Sequence, residues 1–98
     1  MTSVIVYYQE QDILDTQQTI QEMKRLFLKQ KWNFQGLFID QKNDYEVLQE
    51  VIHTHFKKID IIFLYNRNNI ADEFYWQLLI QTATIENVQI IFYSDLHL

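Results

Sequence analysis

Four short, largely apolar runs recur along the chain: "VIVYY" (residues 4–8), "FQGLFID" (34–40), "IDIIFLY" (59–65) and "VQIIFY" (88–93). Between them lie three longer segments whose apolar residues return at helical spacing. This alternation constrains the fold more than any other feature. A strand with one wet face alternates apolar and polar residues, whereas a run that is apolar at consecutive positions needs cover on both faces. The order β-α-β-α-β-α-β therefore predicts a three-layer α/β/α domain around a four-stranded, mostly parallel sheet. All of residues 1–98 belong to this one domain, because a chain of 98 residues has room for one core.

Local signals sharpen the boundaries. Residues 9–16 are polar and read as a loop, with Asp15 or Thr16 able to cap the first helix. Ile20, Met23 and Phe27 form that helix's inner stripe, while Lys24, Arg25, Lys29 and Lys31 make a basic outer face. A second helix starts at Asn43 or Asp44 and turns Leu48, Val51, Ile52, His55 and Phe56 inward. The third runs from about Ala71 to Asn87. Proline is absent and Gly36 is the only glycine, so turns must rely on Asn and Asp, and no Gly-rich phosphate loop exists.

Composition excludes several functions. With 48% hydrophobic and 15% aromatic residues the chain is not disordered. Without cysteine it has neither disulfides nor a thiolate zinc site. No apolar run reaches the roughly 20 residues of a membrane span, and no signal-peptide pattern opens the chain, so a cytoplasmic protein that does not engage membranes is expected. The net charge of −5 argues against strong duplex-DNA binding, because phosphate neutralisation supplies much of such affinity.

In open α/β sheets, ligands sit at the carboxyl ends of the strands. That rim carries residues 9–12, 40–43, 66–69 and 94–95. Glu10, Asp12, Asp40 and Asp95 can converge there as a Mg²⁺ or receiver-like site, or stand as separate solvated carboxylates. Against the receiver, the third strand is followed by Asn66-Arg67-Asn68 rather than a phosphoacceptor. Arg67 is the one rim cation; it can hold an anion or pair with Asp72 or Asp95. His53 and His55 point about 200° apart on a helix and cannot share a metal. Tyr7 and Tyr8, in a central strand, read as core rather than nucleophiles. No metal ligand set and no cofactor site emerge.

The stretch "KKIDIIFLYNRNNIADEFYWQLLIQTATIENVQIIFYSD", residues 57–95, resembles the second half of the catalytic domain of serine recombinases, the resolvase/invertase family. There a strand leads into a loop of the form L-D-R-[LF]-[SG]-R, then a helix that ends before another strand. The first half follows the same order: a strand, a polar loop, a Gln-rich helix start ("DTQQTIQEMKRL") and a strand closing on Asp40. The resemblance covers roughly residues 4–95 and implies a resolvase-like, flavodoxin-like fold.

It also implies lost chemistry. The family's first strand leads into Y-x-R-V-S, whose serine attacks a DNA phosphate and whose arginine steadies the charge. Residues 4–18, "VIVYYQEQDILDTQQ", hold no serine and no arginine, and Thr16 lies too far along to substitute. In the later motif the family's aspartate falls on Asn68, its first arginine on Asn69 and its second on Asp72. Only Asp40 keeps an acidic residue where the family commonly has one. Phosphoryl transfer needs a positioned nucleophile and cations to absorb developing charge. A carboxylate about 4 Å from a phosphate costs around 4 kcal/mol at an effective dielectric near 20. No catalytic residue is therefore assigned. The expected protein is an inactive resolvase-like domain acting through association with itself, with an active recombinase or with another mobile-element protein. The alternatives are an acidic-rim metal-binding or receiver-like regulatory domain, or a recombination accessory protein that binds DNA weakly.

The third helix points to that association. Phe74, Tyr75, Trp76, Leu78, Leu79, Ile80, Ala83 and Ile85 surround nearly its whole circumference. A helix apolar all round must be covered all round. With Phe74, Leu78 and Ile85 taken as the core stripe, Trp76 and Ile80 fall on the far side and become the expected interface of a homodimer or a protein complex.

Overall fold

The computed structural model describes residues 2–12 and 15–96; the middle of the predicted first loop, residues 13 and 14, lies outside them, as do residues 1, 97 and 98. The elements are β1 (Ser3–Gln9), α1 (Thr16–Lys29), β2 (Asn33–Asp40), α2 (Glu46–Thr54), β3 (Ile61–Leu64), α3 (Glu73–Glu86), β4 (Gln89–Phe92) and a short α4 (Tyr93–Leu96). Single 3₁₀ turns at Phe56–Lys58 and Arg67–Asn69 flank β3. The strands lie in the order β2-β1-β3-β4, and every pairing is parallel.

The sheet explains why β1 reads as an unbroken apolar run. Val4, Val6 and Tyr8 enter one core with Ile20, Met23 and Phe27 of α1. Ile5 and Tyr7 enter the other, with Leu48, Val51 and Ile52 of α2 and Leu79 and Ala83 of α3. Side chains alternate across a strand, and here both faces are covered. α1 therefore layers one face, and α2 and α3 the other.

Helix ends follow capping chemistry. The Asp15 carboxylate accepts from Gln18 N at 2.8 Å, and Asp72 accepts from Tyr75 N at 3.2 Å. With one glycine in the chain, left-handed positions fall to Lys31, Asn43 and Asn87, and Asn87 ends α3 at φ 58°. Asn43 in that conformation cannot open a helix. α2 begins at Glu46 instead of the predicted Asn43 or Asp44, with Asp44 Oδ1 accepting from Glu46 N at 3.0 Å. The final strand is also shorter than predicted: after Phe92 the chain turns into α4, and the Tyr93 side chain is buried against the α1 core.

The largest correction concerns α3. Phe74 and Ile85, predicted to be core, are 69% and 75% exposed, and Leu78 is half-buried. The buried positions are Leu79 and Ala83. Trp76 and Ile80, predicted to face away, are half-buried, and Trp76 packs on the core and stacks on Phe92 of β4 with centroids 6.0 Å apart. A helix apolar on every side has no periodicity to mark its inner face, so only packing against β3 and β4 selects it. No helix of the described residues is long and apolar enough to cross a membrane.

Candidate functional site at the strand-order switch

From β1 the chain passes to β2 on one side and later to β3 on the other. The carboxyl ends of β1 and β3 thus flank the point where strand order reverses, the position at which open α/β sheets hold ligands. Gln9 closes β1 there, and the Arg67–Asn69 turn follows β3.

The two ends are tied together. Asn69 is 2% exposed; its Oδ1 accepts from Gln9 N at 2.8 Å, and its Nδ2 donates to Gln9 O at 2.9 Å. Asn66 Oδ1 accepts from Asn69 N at 2.9 Å and fixes the turn. The Gln9 side chain reaches the other way, donating to Asp44 O at 2.8 Å and accepting from Asn43 N at 3.3 Å. One neutral amide thus occupies the position that matched the family's first arginine, and it bonds to backbone. Exposed Asn68, at the matched aspartate, stands beside it in the same turn.

Asp40 is 2% exposed and faces α2 rather than the rim. Its carboxylate accepts from Tyr7 OH at 2.7 Å, Val47 N at 2.9 Å and Leu48 N at 2.9 Å. Those amides open α2, so Asp40 acts as a cap supplied from the end of β2 and also faces the positive end of the helix dipole. Burial first, then the bond and charge of Asp40, push the Tyr7 hydroxyl far above its ordinary value of 10.0. Burial likewise raises Tyr8, whose hydroxyl lies enclosed without a well-formed hydrogen bond. Both phenols lie buried in the core, as expected of tyrosines in a central strand.

The remaining candidates are dispersed. Asp12 forms an ion pair with Lys42. Asp95 lies exposed in α4 and Glu10 is exposed. Among the described residues, no three His, Cys, Asp or Glu side chains come together to hold a metal ion. Arg67 donates to Ile70 O at 2.6 Å and Glu73 Oε2 at 2.9 Å, and its guanidinium lies 4.1 Å from the centre of the Trp76 ring. Its partners are Glu73 and Trp76, not the predicted Asp72 or Asp95. Asp72 points its carboxylate at the α3 amides, and its own N–H donates to Tyr45 OH at 3.2 Å. His55 is half-buried against Phe38 with centroids 4.9 Å apart, as expected of a packed histidine, and His53 is exposed.

Sequence reasoning missed the Gln9–Asn69 and Tyr7–Asp40 pairs. Their partners lie 60 and 33 residues apart, beyond any local pattern. The available signal was a polar residue, Gln9 or Asp40, closing an otherwise buried strand.

The fold is a resolvase-like, three-layer α/β/α arrangement. The chain superimposes on the N-terminal catalytic domain of TP901-1 integrase with a TM-score of 0.80, over 96% of this chain and 78% of that one, at 14% sequence identity. At that identity the likeness establishes the fold. No family model matches the chain, and no curated protein matches it by sequence.

Proposed function

We propose that this is a resolvase-like domain without catalytic activity, which works by associating with itself or with a recombination or mobile-element protein. The observation that carries this reading is the neutral Gln9–Asn69 tie at the strand-order switch. Where strand-transfer chemistry would need a nucleophile and cations, the Asn69 carboxamide satisfies the backbone N–H and C=O of Gln9 and holds β1 against the β3 turn. The loop after β1 supplies no serine or arginine. The one rim arginine is engaged by Glu73 and Trp76. The integrase likeness supports a recombination-related setting, and the net charge of −5 supports DNA binding no tighter than the non-specific range of about 10⁻⁴ to 10⁻⁶ M. A receiver-like or metal-binding role has less support, because Asp40 is committed to α2 and Asp12 to Lys42.

Incubation with supercoiled and nicked DNA, followed by denaturing electrophoresis, tests the proposal. No covalently shifted protein band is expected. An adduct that persists in Thr16→Ala but disappears in Tyr8→Phe would overturn it.

A further inference from the structure

α3 carries a second apolar face that the sheet does not cover. Phe74, Leu78, Gln81 and Ile85 follow one another at intervals of four, three and four residues, the spacing of a coiled-coil seam. Phe74 and Ile85 are among the most exposed large apolar side chains, at 69% and 75%. Beside this ridge lies a groove of about 620 Å³ between α2 and α3, walled by Ile52, Phe56 and Leu78 and edged by His53, Lys57 and Glu86.

The groove has a direction. At one end Tyr45 stacks on Tyr75 with centroids 4.4 Å apart, and Gln49 Nε2 donates to Tyr75 OH at 2.7 Å. These are the starts of α2 and α3, so the two helices run the same way. That end carries Glu46, Asp72 and Glu73, with Arg67 bound to Glu73. The other end carries exposed His53, Lys57 and Lys58, with Glu86 beside them. The face is therefore acidic at one end and mainly basic at the other.

We propose that this face binds a second copy of the chain about a two-fold axis that crosses α3 between Leu78 and Gln81, with the two α3 helices antiparallel. The inference rests on the association reading above and names its partner and surface. Two features carry it. The seam is palindromic: reversed on itself, it sets Phe74 opposite the second copy's Ile85, and Leu78 opposite its Gln81. Phe74 then meets the far half of the second groove, beside Phe56 and Ile52. The charges agree with the same arrangement, since the acidic end of each copy meets the basic end of the other. A parallel arrangement would set Asp72 and Glu73 against themselves. Such an interface is isologous and closes at two copies.

Sedimentation of the full chain up to about 100 μM, where a micromolar contact is filled, should give a dimer. Phe74→Glu and Ile85→Lys, both at exposed positions, should each raise the dissociation constant at least about tenfold, with unchanged circular dichroism. Orientation is read by cross-linking, which the absence of native cysteine makes clean. Phe74→Cys protein mixed with Ile85→Cys protein should form mixed disulfides faster than Phe74→Cys forms with itself, because the axis sets positions 74 and 85 level while the two positions 74 stand about 16 Å apart along the helices. A parent chain that stays monomeric leaves the face to a different protein and overturns the inference. A dimer indifferent to both seam variants also overturns it, by moving self-association to another surface while leaving the association reading standing. Preferred Phe74→Cys self-linking overturns the antiparallel axis. A covalent DNA adduct would sink the inactivity proposal without touching any of these results.

Discussion

At the carboxyl ends of β1, β2 and β3, polar groups are enclosed and matched to one another: Asn69 to Gln9, and Asp40 to Tyr7 and the first amides of α2. On the outer side of α3 the reverse holds, and Phe74 and Ile85 stand 69% and 75% exposed with a groove beside them. The first region is where a fold of this kind offers a ligand site, yet Gln9, Asn69 and Asp40 use their hydrogen-bonding groups internally. The second has no partner within the described residues. Apolar surface left in water costs free energy in proportion to its area, whereas a satisfied polar network leaves little to offer a ligand. The contrast is the physical ground for proposing that the molecule associates through a helix face rather than at the strand ends.

The comparison breaks most visibly at Asp40. Asp40→Ala leaves the Tyr7 hydroxyl and the Val47 and Leu48 amides without their acceptor in a closed space. Each buried unsatisfied group costs about 1–3 kcal/mol, so a loss of about 4 kcal/mol in urea unfolding is expected. A loss below about 1 kcal/mol would mean that water replaces the carboxylate and that the rim is open after all.

A pH titration sharpens the same point. Folding raises the ionisation of Tyr7, Tyr8 and Tyr93 above the ordinary 10.0, with burial the leading cause in each. Below that value both states hold the phenolic protons and the stabilisation is complete. Above it the unfolded chain releases protons that the folded chain retains, so stability falls, by at most about 1.4 kcal/mol per pH unit for each tyrosine. Tyr7→Phe should make this alkaline decline shallower, measured as urea midpoints from about pH 9 to about pH 11.5. An unchanged slope would show that the Tyr7 hydroxyl is not enclosed.

The smallest effect belongs to the other region. Phe74→Ser should change the stability of the isolated monomer by no more than about 0.5 kcal/mol, measured at a concentration too low for association. A cost of about 2 kcal/mol or more would put Phe74 in the core and erase the contrast.

Much of the fold was legible in the chain. The four apolar runs became four parallel strands, and Ile20, Met23 and Phe27 became the inner stripe of α1. Leu48, Val51, Ile52 and Phe56 turned inward as their spacing required. The site was legible only in position. Residues 40 and 66–69 do surround the strand-order switch, but what Asp40 and Asn69 do there depends on Val47, Leu48 and Gln9. The partner of Arg67 stayed open between an anion, Asp72 and Asp95, because Trp76 and Glu73 lie on a helix whose rotation the sequence left open.

The sequence by itself determined the order of the four strands and three long helices and the two-sided burial of the central strands, because apolar periodicity is a local property that each segment carries alone. It also determined the absence of serine and arginine from residues 4–18. Only the tertiary structure decided which side of α3 is core, since Leu79 and Ala83 differ from Phe74 and Ile85 in what they pack against and not in their character. It likewise decided that the rim closes on itself, because the Gln9–Asn69 tie joins residues that become neighbours only once β1 and β3 lie side by side.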